Sequence, residues 1–206
     1  EVTGKPMLVG TTDAFEADIV KPVLDVLSDR AEIPRDVLRQ SFDDIESTLR
    51  TGSAHEQGRA LEAFTIKLGR RLGLDFTGWR LRGNETGGSE VDVIMEQAGL
   101  THERWQIQCK RSTRLTLEHV AREVGVARTT NATTILMLTM EGLSDDARQF
   151  ADRIMQDSNL SLLFIDIDDI SAVSDPEQIR EHLEAESARA KRCKQLTASD
   201  PIVDAA

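Results

Sequence analysis

Two nearly continuous apolar segments, separated by one amphipathic helix, constrain the fold of this chain more than any other feature. Residues 133–140 and 160–167 have the length of strands and show little polar alternation, which is typical of strands covered on both faces. Between them, Ser144 is a candidate N-cap, with two aspartates in the first turn that follows. A strand–helix–strand unit of this kind pairs its strands in parallel. The sequence therefore predicts an α/β domain built on a sheet.

Three shorter strand-like segments precede this unit and predict an antiparallel meander. The whole pattern predicts helices, three strands, a helix, a strand, a helix, a strand and a final helix, which is a mixed central sheet of about five strands flanked by helices. The predicted strands of the meander are 75–81, 90–94 and 105–110; the predicted helices are 14–27, 34–49, 54–72, 117–127, 144–154 and 176–194. We expect an N-terminal helical extension over 1–53, a core domain over 54–173, and a C-terminal charged helix and tail over 174–206.

Composition limits the class of protein. A chain of 206 residues with 39% hydrophobic and 30% charged residues is large enough for one globular domain. It contains no apolar run of membrane-spanning length and no signal-peptide pattern at its start, so we expect a cytoplasmic protein that does not bind membranes. Two distant cysteines and four scattered histidines predict neither a disulfide framework nor a zinc site. The chain begins without Met, which suggests either a processed product or a piece of a longer polypeptide, in which case other domains are expected.

The distribution of charge is uneven. The net charge of −11 argues against a general nucleic-acid-binding surface, because phosphates are neutralised by Lys and Arg. Two segments, 58–82 and 104–128, each contain six bases and two acids, so together they carry +8. Individually such bases are most often solvated helix faces. Their position on both sides of one predicted hairpin favours a functional role for that hairpin.

That hairpin brings together an acid, an amide and an ammonium group. Residues i and i+2 of a strand share a face, so Gln108 and Lys110 point the same way. If the turn centres near Leu100 or Thr101, Asp92 lies opposite one of them and on the same face. Two interpretations stay open on spacing alone. One is a hairpin with a polar outer face, and the other is a site that holds a metal ion and attacks a phosphodiester.

A family resemblance favours the second interpretation. The chain contains an acid-bearing helix segment at 58–62 (GRALE), a glycine-rich loop leading into an aspartate strand at 87–94 (GGSEVDVI), and a strand ending QCKR at 108–111. In this order and in these predicted elements, the motifs resemble the Mrr-like restriction endonuclease domains of the PD-(D/E)xK nuclease superfamily, in which Gln often replaces the acid before the lysine. The resemblance covers 54 to about 169 and implies a restriction-endonuclease-like core.

The resemblance implies a role for each motif residue. Asp92, the Gln108 side-chain oxygen and the Cys109 backbone carbonyl would bind a divalent metal, for which Mg²⁺ suits the oxygen ligands and Mn²⁺ would substitute. Lys110 would hold or deprotonate the attacking water, and Glu62 would orient a metal-bound water or hold a second metal. For Glu62, pairing with Arg59 or another nearby base is the alternative. The neutral Gln108 predicts weaker metal binding than an acid would give.

Four residues near the motifs are candidate DNA-phosphate contacts: Arg82, Arg111, Ser112 and Arg114. The sequence therefore predicts a metal-dependent endodeoxyribonuclease domain, the cleavage module of a restriction or antiphage defence protein, acting as a homodimer or higher oligomer through its terminal helices. One alternative is a catalytically silent nuclease-fold module that binds DNA or a protein partner. Another is a helical docking protein without a nucleic-acid role, which leaves the meander unexplained.

Overall fold

A five-stranded mixed sheet forms the centre of the protein, which we describe from a computed structural model over residues 35–81, 91–97, 103–111, 114–171 and 176–196. Its strands are β1 (Asp75–Leu81), β2 (Val91–Gln97), β3 (Glu103–Lys110), β4 (Thr134–Thr139) and β5 (Ser161–Ile165). They lie in the order β1-β2-β3-β4-β5, with β1, β2 and β3 antiparallel and β3, β4 and β5 parallel. The predicted fold class, a mixed sheet flanked by helices, is confirmed.

Helices cover both faces of this sheet. They are α1 (Arg35–Arg39), α2 (Phe42–Thr51), α3 (Ala54–Arg71), α4 (Leu117–Thr130), α5 (Asp145–Gln156), α6 (Ile167–Ser171) and α7 (Pro176–Leu196). Helix α3 packs on β1, β2 and β3, whereas α4 packs on β3 and β4. None of the helices in the described ranges is long and apolar enough to cross a membrane.

The predicted helix over 34–49 is wrong in one respect, because it is two helices. Gln40 and Ser41 separate α1 from α2. The Ser41 side chain accepts a hydrogen bond from the Asp44 backbone N–H, and the Asp44 carboxylate accepts one from the Ser41 backbone N–H. This capping box starts a new helix rather than continuing the old one. The short helix α6 was not predicted, and the predicted helix over 14–27 lies outside the described residues.

Close packing of α3 on the sheet positions the acid-bearing helix. Leu61 and Phe64 on α3 are fully buried, and Gly69 faces Met95 of β2 so closely that a Cβ there would lie 2.0 Å from the Met95 sulfur. Glycine is therefore required for this close approach. As predicted, the helix stops next to Gly73, which has a φ of +75°.

Helix α7 covers the outer edge of β5. The Glu186 carboxylate accepts a hydrogen bond from the Phe164 backbone N–H at 3.2 Å, and Arg189 donates to the Leu162 carbonyl at 2.8 Å. A ring nitrogen of His182 lies 2.9 Å from the Phe164 carbonyl oxygen. A strand edge presents unpaired N–H and C=O groups that invite pairing with another chain. The polar face of α7 therefore satisfies an edge that would otherwise be open. The division into an extension, a core and a tail stays a prediction.

Candidate active site

The register of the β2–β3 hairpin decides which side chains meet. Val93 pairs with Ile107, and Ile94 pairs with Gln106. Continuing this register by one residue places Asp92 opposite Gln108, one of the two partners that the sequence left open. Directly opposed residues share a face of the sheet. The sequence-predicted convergence of Asp92 with Gln108 is therefore present in the structure.

Two hydrogen bonds hold the Asp92 carboxylate. Oδ2 of Asp92 accepts from the Gln108 side-chain Nε2 at 2.7 Å and from the Cys109 backbone N–H at 2.7 Å. Both side chains are largely removed from water, since Asp92 is 8% and Gln108 is 4% exposed. Hydrogen bonds to a charged acceptor stabilise by more than neutral ones do. The end of β3 is thus built around this one carboxylate.

The side-chain oxygen of Gln108 fits a metal-binding role. Its Oε1 is buried and has no hydrogen-bond partner within the described part of the chain, which is costly for an amide oxygen. A hard divalent cation beside Asp92 would satisfy it. The described residues contain no group of three or more His, Cys, Asp or Glu side chains that could hold a metal. A cation here would therefore be bound by one carboxylate and by neutral oxygens. Such a ligand set binds a metal weakly, as the neutral Gln108 led us to expect.

Lys110 lies at the end of the same face of β3. It is half-buried, and no described residue accepts a hydrogen bond from it or forms an ion pair with it. Its charge acts on Glu123 of α4, where it opposes the effect of burial. Lys110 is therefore a cation next to Gln108 and Cys109 that forms no ion pair with any residue of the described ranges.

Glu123 is an acid near this site that none of the sequence motifs contains. It is 2% exposed, and it accepts a hydrogen bond from the Gln106 side chain at 2.9 Å. Burial raises the pKa of Glu123 to about 7, with Lys110 lowering it and Asp92 raising it. One sequence signal could have found Glu123. It lies three residues after Val120 and four before Ala127, within the buried stripe of its helix.

Glu62 is buried, and its carboxylate is already engaged. It accepts a hydrogen bond from the Trp79 indole N–H at 2.8 Å and a two-pronged contact from Arg80, with Nη2 at 2.8 Å from Oε1. Arg80 also lies over the Trp79 ring at 4.9 Å. The alternative, pairing of Glu62 with Arg59 or another nearby base, is met by Arg80, whereas Arg59 lies 3.3 Å from Asp36. Glu62 is thus a buried acid of α3 that two residues of β1 hold in place.

The other face of β3 contains Cys109, whose sulfur lies 3.4 Å from the Thr65 hydroxyl of α3. Burial raises the pKa of the Cys109 thiol well above its usual value, and Asp92 raises it further. A thiol in this state is neutral and unreactive. The backbone of Cys109 faces Asp92 through its N–H, so only the main chain of this residue belongs to the site.

The predicted phosphate contacts are only partly described. Arg111 directly follows β3 and is half-buried. Arg114 donates a hydrogen bond to the Leu143 carbonyl at 3.1 Å, so part of its guanidinium already stabilises a loop. Arg82 and Ser112 lie outside the described residues. Of the predicted DNA-phosphate contacts in the described ranges, Arg111 is therefore the one that directly follows Lys110.

Comparison with protein families agrees with this geometry. The model of the Mrr_cat family, whose description is restriction endonuclease, matches residues 54–173, which is more than half of the chain. The chain belongs to this restriction endonuclease family. The sequence-based assignment to an Mrr-like domain is therefore confirmed. No curated protein matches the chain.

Three solved structures resemble the chain at low sequence identity. The protein of unknown function AF1548 is 15% identical, with a TM-score of 0.44 and coverage of 67% of this chain and 93% of that one. The DNA modification-dependent restriction endonuclease AspBHI is 12% identical, with a TM-score of 0.43 and coverage of 90% and 44%. The MspJI restriction endonuclease, solved with a 27-mer oligonucleotide, is 13% identical, with a TM-score of 0.37 and coverage of 95% and 39%. The chain spans less than half the length of these two endonucleases.

Proposed function

We propose that this protein is a metal-dependent endonuclease domain that hydrolyses phosphodiester bonds in duplex DNA, within a restriction or antiphage defence protein. Membership in the restriction endonuclease family supports the class of reaction. The observation that carries the proposal is the hydrogen bond from Gln108 Nε2 to the Asp92 carboxylate, which leaves the buried Gln108 Oε1 beside it without a hydrogen-bond partner among the described residues. A hairpin with a merely polar face would not bury an unsatisfied oxygen beside a carboxylate.

Asp92, the Gln108 Oε1 and the Cys109 carbonyl would hold Mg²⁺, with Mn²⁺ able to replace it. When bound, such a cation polarises the phosphate and lowers the pKa of a water molecule. The Gln108 amide N–H keeps the Asp92 carboxylate oriented by its 2.7 Å hydrogen bond. The protein thus supplies a fixed anionic ligand beside a neutral one.

Lys110 would hold or deprotonate the attacking water and offset the negative charge that develops on the phosphoryl oxygens. In this hydrolysis the water loses a proton as its oxygen bonds to phosphorus, the bond to the leaving sugar oxygen breaks, and that oxygen takes up a proton from solvent. Backbone phosphates would be contacted by the four predicted residues near the motifs, which are Arg82, Arg111, Ser112 and Arg114. Glu62 would act at the β1 end of the site by orienting water, with Arg80 and Trp79 fixing its position.

We propose that two copies act together, because cleavage of both strands requires two sites. The contacts of α7 with the β5 edge favour the N-terminal helical extension over α7 as the dimer contact. A cytoplasmic location and additional domains in a longer parent chain belong to the same proposal. The pairing of two copies is testable by sedimentation of the full chain with and without duplex DNA.

The test of the proposed function is nicking of supercoiled plasmid in Mg²⁺ or Mn²⁺. We expect metal-dependent nicking by the native chain and a loss of at least about 10²-fold in Asp92→Ala and Lys110→Ala, the scale typical of groups that stabilise a transition state. Asp43→Ala and Lys191→Ala are matched controls, since both residues are exposed, on α2 and α7 respectively, neither belongs to the proposed site, and both variants should keep full activity.

Two results would overturn the proposal. One is DNA binding without cleavage in either metal, which would favour the silent nuclease-fold module. The other is equal nicking by the native chain and both site variants, which would mean a contaminating nuclease. Circular dichroism spectra of all variants would distinguish loss of the site from loss of the fold.

A further inference from the structure

Three basic residues of α3 line a pocket on the side of this helix that faces α1 and α2. Lys67, Arg70 and Arg71 border a cavity of about 400 Å³, whose other walls are Leu38, Ser41, Phe42, Ala63 and Ile66. They belong to the basic segment 58–82, but the proposed active site does not use them. The acid-bearing position 62 lies on another side of the same helix.

The other described bases of that segment form ion pairs with carboxylates, whereas the nearest attraction that these three have among the described residues is that of Asp44 for Lys67. Arg59 lies next to Asp36, and Arg80 next to Glu62. Within the described ranges, Lys67, Arg70 and Arg71 form no ion pair, and no acid lines their pocket. This is unexpected in a chain with 36 acids and 25 bases. A concentration of unneutralised cations in a concave surface favours an anion as its occupant.

An aromatic ring orders two of these cations without neutralising them. The Lys67 ammonium lies 5.6 Å and the Arg71 guanidinium 4.9 Å from the centre of the Phe42 ring. Phe42 is itself held by an edge-on contact with the buried Phe64, at 6.2 Å between ring centres. Cation–π contacts stabilise such groups modestly and leave their net charge unchanged. The pocket is therefore preorganised and positive.

The end of helix α3 favours bases, but this explains only part of the clustering of Lys67, Arg70 and Arg71. Bases in the last turn of α3, such as Arg70 and Arg71, are favoured by the helix dipole. Lys67 is one turn earlier and half-buried. Burial lowers the pKa of Lys67, and the charges of Arg71 and Arg70 lower it further, with only Asp44 opposing them. The dipole does not explain why a lysine is kept in surroundings that disfavour its charge.

We infer that the pocket formed by Lys67, Arg70 and Arg71 beside Phe42 is a binding site for a phosphate group, separate from the proposed active site. Guanidinium groups bind phosphate oxygens with paired hydrogen bonds, and a lysine adds a point charge. The phosphate group belongs either to a nucleic-acid backbone or to a free nucleotide, and both present the same oxygens. The inference does not depend on cleavage, because it concerns binding alone.

The test is titration of the full chain with pyrophosphate at constant ionic strength, followed by NMR of the arginine Nε–H signals. We expect saturable shifts at Arg70 and Arg71, with affinity reduced about tenfold in Arg70→Gln, because a charge-assisted hydrogen bond to phosphate is lost. Lys67→Gln should weaken binding similarly. Arg128→Gln is the matched control, an exposed arginine on α4, and should bind as the native chain does.

Arg70→Gln is the most informative variant, because the cation–π contacts with the Phe42 ring come from Lys67 and Arg71 and stay in place. Competition then identifies the source of the phosphate. Displacement of pyrophosphate by a short duplex DNA would assign the site to a nucleic-acid backbone, and displacement by ATP alone would assign it to a free nucleotide. Shifts that do not saturate, or that are equal in all variants, would overturn the inference.

Discussion

Replacement of Gln108 by Glu tests the candidate metal site more sharply than its removal. In the native protein the Gln108 amide donates a 2.7 Å hydrogen bond to Asp92. Gln108→Glu keeps the size of the side chain, removes this donor and places a second carboxylate against the first. Without a metal the two carboxylates repel each other. With a metal they would form a stronger anionic ligand pair.

The magnitude follows from these contacts. Loss of a buried hydrogen bond to a charged group costs about 1.5–3 kcal/mol, and the like charges add to that cost. A domain of this size loses about 2–4 °C in Tm per kcal/mol. The metal-free variant should therefore unfold about 4–8 °C below the native chain, using about 2 kcal/mol for the loss. At 100 times its Kd, a cation returns about 2.7 kcal/mol, enough to restore the Tm.

The assay is thermal unfolding in EDTA, in 10 mM Mg²⁺ and in 10 mM Mn²⁺. Gln106→Glu is a matched control, because Gln106 is buried two residues earlier on the same face of β3 and also donates to an acid, Glu123. We expect both variants to be destabilised in EDTA and only Gln108→Glu to recover in metal. Equal recovery in both variants, or recovery in neither, would refute the metal site at Asp92 and Gln108.

Three further predictions concern buried charges. Burial raises the pKa of Glu123 to about 7, above its value in the unfolded chain, so the native chain loses stability as the pH rises toward 7. In urea unfolding, the Glu123→Gln variant should be more stable than the native chain at pH 8 by up to about 3 kcal/mol. Near pH 4.5 the two should be equally stable. His182 lies 2.9 Å from Asp169, whose carboxylate raises the pKa of His182 to about 9. The charged His182 therefore contributes about 1–2 kcal/mol to the free energy of unfolding, after a discount for solvent screening. This contribution is complete below pH 6.5 and is lost as the pH rises through 9. A His182→Gln variant should therefore converge with the native chain at high pH, and a constant difference would contradict this reasoning. Glu186→Ala should cost about 3 kcal/mol in urea unfolding, the low end for breaking a buried ion pair, since the Phe164 N–H loses its carboxylate while Arg189 keeps its contact with Asp152. A cost under 1 kcal/mol would show that water replaces the carboxylate.

Local patterns were sufficient to predict most elements of the fold. The apolar segments 133–140 and 160–167 became the parallel strands β4 and β5, because only a strand covered on both faces tolerates such a run. The error at Ser41 came from following apolar periodicity through a capping box whose residues were visible in the sequence. Apolar spacing cannot distinguish one helix from two when both pack on the same neighbour, as α1 and α2 do on α3.

The candidate site was predictable where its geometry is local to the hairpin. Alternation alone determines that Gln108 and Lys110 share a face. The partner of Asp92 depended on where the turn centres, and only the β2–β3 pairing selected Gln108. The same applies to Glu62, because its partners Arg80 and Trp79 are reached through the packing of α3 against β1.

By itself, the sequence determined the order of strands and helices, the family and the side chains that one hairpin can bring together. These depend on chemistry between near neighbours, which the periods of strand and helix express directly. The tertiary structure decided which charges are neutralised. Glu123 came to lie beside the site, Arg59 and Arg80 found carboxylates, and Lys67 did not. Such pairings join residues far apart in the chain, so their distances follow only from how the helices pack on the sheet.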